Sequence, residues 1–68
     1  MKTYFLYLRD DRYTVPTLDM INARDDDRAI TAAVGRLAYS PHYQSVEVWE
    51  DDRLVARLDR SDIDPETT

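Results

Sequence analysis

The sequence predicts an α+β domain of ββαββ order: a four-stranded, mainly antiparallel sheet in the order 2-1-3-4, with one helix packed on one face. Three observations carry that expectation. Asp25 to Tyr39 is the only stretch with a helical period, Ile30, Ala33, Val34 and Leu37 lining one face and Ala29 and Ala38 its margins. Gln44 to Asp59 alternates apolar and polar residues in two runs around an acidic turn. Thr3 to Arg9 is aromatic or aliphatic at nearly every position and too short for a free helix. A single apolar stripe needs a sheet to bury it, and the strand-like stretches supply one.

In Thr3 to Arg9, side chains alternate so that Tyr4, Leu6 and Leu8 share one face while Phe5 and Tyr7 share the other. Arg9-Asp10-Asp11-Arg12 is a polar turn. It leads through Tyr13-Thr14-Val15 to Pro16, which has no amide hydrogen and must begin a strand or lie on a sheet edge. Thr17 to Ala23 is the second strand, with Ile21 and Ala23 toward the helix and Leu18 and Met20 away from it. In Asp25-Asp26-Asp27 an aspartate caps the first free backbone amides, and the remaining charge suits the positive end of the helix dipole. Gly35 lies opposite Ile30 and costs about 1 kcal/mol relative to Ala, for no reason the sequence reveals. Ser40-Pro41 ends the helix, since proline disfavours a helical conformation in the residue before it. His42 then reads as a solvated residue near a helix C-terminus, not as a catalyst.

The register of the last hairpin follows from requiring both apolar sets to share a face. A two-residue loop at Asp51-Asp52 pairs Trp49 with Leu54 and turns Leu54 away from the Val48 face. A three-residue loop, Glu50-Asp51-Asp52, pairs Val48 with Leu54 and Val46 with Ala56. That second register is the expected one, with Asp52 left-handed and Trp49 opposite Arg53 as an outer-face cation–π pair. The helix returns the chain between strands 2 and 3, so strand 1 can pair antiparallel with both. Parallel pairing of strands 1 and 4 is the alternative topology. One domain over residues 1–59 and a flexible acidic tail over 60–68 complete the layout.

A chain of 68 residues buries only about 60% of the surface its unfolded form exposes. Disulfides cannot reinforce it, because there is no cysteine, so association becomes the expected support. The absence of cysteine is compatible with a reducing cytosol, and neither a membrane span nor a signal peptide is visible. A soluble cytoplasmic protein that does not engage membrane is the reading. With 14 acidic against 9 basic residues the net charge is −5, and the basic residues are scattered singly, so no nucleic-acid partner is expected. One histidine, one glycine and no phosphate-cradling loop leave no catalytic residue or cofactor to assign.

Two surfaces attract functional expectations. The helix-free sheet face should carry Phe5, Tyr7, Trp49 and Val55, joined by Leu18 and Met20 and bordered by Arg53. Such a face, uncovered by its own chain, suits a homodimer anchored by Phe5, Tyr7 and Trp49, or a foreign protein partner. The second surface joins Asp25, Asp26 and Asp27 with Glu50, Asp51 and Asp52 at one end of the topology. Oxygen ligands of this kind suit a divalent cation, but the spacing of a calcium loop is missing and no metal is assigned. Alternatively, the acidic end belongs to a small regulatory or inhibitory protein, antitoxin-like or phage-encoded, that covers a partner's basic site.

The aromatic first strand ending Arg9-Asp10, the run Asp25-Asp26-Asp27 and Val46-Glu47-Val48-Trp49-Glu50-Asp51-Asp52-Arg53-Leu54-Val55-Ala56-Arg57-Leu58 together resemble small uncharacterised proteobacterial proteins of ββαββ order. The resemblance covers most of residues 3 to 58, is most specific at Glu47, Trp49, Arg53, Val55 and Leu58, and departs at strand 2 with Pro16. It implies a bacterial, single-domain protein and brings no activity with it.

Overall fold

Ala29, Ala33 and Leu37 are fully buried and sit four residues apart, so a single helix stripe meets the sheet. A computed structural model describes residues 1–63 of the chain. In it, β1 spans Lys2–Asp10, β2 Thr17–Ala23, α1 Asp26–Tyr39, β3 Tyr43–Glu50 and β4 Arg53–Asp59, with a final helical turn, α2, at Arg60–Ile63. The sheet order is β2-β1-β3-β4 and every neighbouring pair is antiparallel. The expected topology therefore holds, and β1 and β4 are not neighbours. Tyr4, Leu6 and Leu8 of β1 and Val46 and Val48 of β3 face the helix and complete the core.

The helix begins where the aspartates indicated. Asp25 is extended at φ −155°, and its side chain accepts a hydrogen bond from the Arg28 amide at 2.9 Å. The buried stripe, however, is rotated from the expected one. Ala29 is central, Ile30 and Val34 are half-buried, and Ala38 is exposed. Small side chains toward the sheet let the helix lie close, and the bulkier branched residues fill the flanks.

The β3–β4 hairpin corrects the expected register. Its loop is the two-residue Asp51-Asp52, Glu50 pairs with Arg53, and Trp49 pairs with Leu54. Val55 is then an extra residue, so that Ala56 faces Val48 and Leu58 faces Val46. A bulge, not a longer loop, brings the apolar sets back to one face. The left-handed residue is Asp51, at φ 53°, in place of Asp52. Primed two-residue turns require positive φ at that first loop position, and aspartate tolerates it better than most residues.

The expected tail also starts differently. Arg60 sends its Nε to the Tyr43 carbonyl at 2.7 Å and a terminal nitrogen to the carbonyls of Leu37, at 2.6 Å, and Ser40. A cation placed on the last carbonyls of α1 satisfies acceptors that have no partner within the helix and opposes the negative end of its dipole. The Asp59 amide donates to Asp62 Oδ2 at 2.8 Å, the return half of a capping box, which caps the start of α2. The remainder of the expected tail, 64–68, lies outside the described residues.

At the same end of the sheet, Arg12 grips Asp10 with two side-chain hydrogen bonds, at 2.7 and 3.0 Å, and with its own amide at 2.8 Å. The Asp10 side chain is buried, and these bonds, the guanidinium ones foremost, hold its carboxyl down at about 2. Next to it the Asp11 amide donates to the His42 carbonyl at 3.0 Å, and the His42 ring meets Asp11 Oδ1 at 3.1 Å. The β1–β2 turn is thereby fastened to the connection after α1.

Candidate interaction surface

The helix-free face is built from rungs that cross all four strands. Met20, Phe5, Trp49 and Leu54 are consecutive cross-strand partners and form an unbroken apolar rung. The next rung, Leu18, Tyr7, Glu47 and Arg57, is mixed. Beyond it Arg9, Ser45 and Asp59 are polar. Leu18, Met20 and Leu54 are 57%, 62% and 47% exposed, and Tyr7 is exposed as well, although each sits in regular strand. Trp49 and Phe5 are half-buried by their neighbours. The Trp49 indole donates to Glu47 Oε1 at 3.0 Å, which fixes the ring on the sheet. A shallow depression of about 420 Å³ runs along β1 and β3 on this face, between Pro16 at one end and Asp51 at the other, with Phe5, Tyr7, Arg9 and Trp49 lining it.

Five of the expected face residues, Phe5, Tyr7, Leu18, Met20 and Trp49, lie together here. Two do not. Val55, the bulge residue, packs against the core cluster, and Leu54 takes the place beside Trp49. Arg53 is aligned with Glu50 at the start of α1 and makes no cation–π pair with Trp49. Among the described residues the cation–π contact is Arg12 over Tyr13, 5.3 Å from the ring centre. Arg9 escaped the sequence reading although it shares the alternation of Phe5 and Tyr7.

The two acidic runs do approach each other, and a cation already stands between them. Arg53 bonds both carboxylate oxygens of Asp26, at 3.0 and 3.2 Å, and also reaches Glu50. The buried Tyr4 hydroxyl donates to Asp26 Oδ1 at 2.8 Å. Arg53 first and Tyr4 second hold the Asp26 carboxyl below the usual carboxylate range. Burial, then the same hydrogen bond, pushes the Tyr4 phenol up to about 12. Asp25 is occupied as the cap, while Asp27, Asp51 and Asp52 remain exposed. Among the described residues no three carboxylate or imidazole side chains gather as a metal site, and no helix is long and apolar enough to cross a membrane.

No family model, curated protein or solved structure matches this chain.

Proposed function

We propose that the chain is a non-enzymatic protein-interaction module that pairs with a second copy of itself through the helix-free sheet face. The observation that carries the reading is the apolar rung Met20-Phe5-Trp49-Leu54, exposed at both ends and held rigid at Trp49. A two-fold interface must be self-complementary. The mixed and polar rungs carry Arg9 and Arg57 against Glu47 and Asp59, with Asp51 adding one negative charge at the rim, so this face is close to balanced in charge while the chain as a whole is at −5. Two such chains meet with least repulsion on that face. Four strands of seven to nine residues give a sheet face of roughly 20 × 25 Å, about 500 Å² per copy and about 1,000 Å² for a pair, at the lower bound of specific interfaces. The partner adds core to a domain too small to bury much of its own surface. A cytoplasmic setting, compatible with a chain free of cysteine, belongs to the same reading.

The acidic end carries no second reading, because nothing on it points to a basic partner: Arg53 bridges Asp26 and Glu50 and the capping bond occupies Asp25, while Asp27, Asp51 and Asp52 stay exposed as a solvated acidic rim. Light scattering across a concentration series tests the proposal. The wild type is expected at twice the chain mass of 8.0 kDa, and Trp49→Ala at the single-chain mass with its circular dichroism intact. A wild type that stays at the single-chain mass at every concentration overturns the reading.

A further inference from the structure

The sheet has two edges, and both are closed to another strand by different means. β4 is interrupted by the extra residue Val55, and a bulged edge is a poor template for further pairing. β2 is seven residues long, regular in its pairing with β1, and flanked by the exposed side chains of Leu18 and Met20. Such an edge is a template for strand addition, and a second copy of the same strand, lying antiparallel about a two-fold axis, is its natural occupant.

Asp19 stands in the way. Its Oδ1 accepts the hydrogen of the Met20 backbone amide at 2.9 Å, at the middle of the strand. Alternate amides of an edge strand point away from the sheet, and a donor already taken by a side chain is closed to an incoming carbonyl. The other oxygen of Asp19 is ion-paired with Arg36 of α1, which holds the carboxylate in place from above. Pro16, just before the strand, has no amide to offer. We propose that Asp19, positioned by Arg36, is the guard of the β2 edge, and that it stops a second copy of this chain from joining edge to edge. The inference rests on the edge and not on the sheet face, so it stands whether the wild type is one chain or two.

The test compares Asp19→Val with Asp19→Asn by sedimentation velocity, each against the wild-type mass. Valine removes the acceptor and favours strand, whereas asparagine keeps an acceptor oxygen at the same place. Asp19→Val is expected to assemble to masses above the wild type as concentration rises, and Asp19→Asn to keep the wild-type mass. Equal assembly by both variants, or by neither, overturns the proposal. Should Asp19→Val fail to fold, hydrogen exchange in the wild type decides the matter: the Met20 amide is expected to exchange about tenfold more slowly than those of Leu18 and Asn22, after correction for intrinsic rates. Equal rates at the three positions overturn it as well.

Discussion

Replacing Gly35 by alanine should stabilise this domain, and the expected gain can be worked from the geometry. Gly35 lies inside α1 on its exposed side, without positive φ, and a Cβ added there meets no atom within 4 Å. The substitution therefore carries no steric cost, and what remains is the helix preference of alanine over glycine, about 0.8–1.0 kcal/mol. Much of that gain comes from the unfolded chain, which loses freedom when a side chain is added. For a domain of this size it corresponds to a rise in Tm of about 4–8 °C. Thermal melts followed by circular dichroism at 222 nm measure it. They must be run at one protein concentration, because association would make Tm depend on concentration. A Tm that falls would refute the reasoning in an informative way. It would mean that the added methyl meets another molecule, and the contact surface would then be the outer side of the helix instead of the sheet.

Three further outcomes follow from the buried polar contacts. The Asp10 carboxyl is held at about 2, below the ordinary 3.8, so its contribution is complete above pH 4 and is lost as pH falls from about 4 to about 2; urea midpoints against pH should show that loss shrink in Asp10→Asn. Tyr4 behaves in the opposite sense: with its phenol raised from 10.0 to about 12, stability is intact below pH 10 and drains away as pH rises toward 12, a loss that Tyr4→Phe should remove. Arg60→Ala, which takes the donors from the carbonyls of Leu37, Ser40 and Tyr43, should cost roughly 1–3 kcal/mol in urea unfolding and speed hydrogen exchange in the last turn of α1.

The order of elements was legible because the helix and the last hairpin have clear apolar periods, the first strand is too short and too apolar for a free helix, and the helix returns the chain so that strand 3 pairs beside strand 1. Finer details were less so, for identifiable reasons. Leu54-Val55-Ala56 is apolar at three consecutive positions, so alternation alone fits either phase and a bulge leaves no mark. The helix stripe was drawn toward Ile30 by its hydrophobicity, whereas close approach to a sheet rewards the smaller Ala29. Arg60 bonds backbone carbonyls of residues 17 to 23 positions earlier, and carbonyls carry no sequence signature. One signal was present and unread: Asp59 followed three residues later by Asp62 has the spacing of a capping box. On the sheet face Phe5, Tyr7 and Trp49 followed from their strands' phase, Leu18 and Met20 followed only once Ile21 and Ala23 were set toward the helix, and Arg53 and Val55 went wrong with the hairpin register.

The position of β1 in the sheet has a consequence for the ribosome. β1 precedes the other strands in the chain, yet it lies between β2 and β3, and β3 begins only at Tyr43. About forty residues must therefore be added after β1 before its second neighbour exists, a delay on the order of seconds at bacterial or eukaryotic rates of synthesis. Until then the edge of β1 that will receive β3 stands unpaired along one side of a two-stranded ribbon, which is marginally stable by itself. A nascent chain of this design is thus most exposed to its neighbours on the polysome just before the third strand emerges.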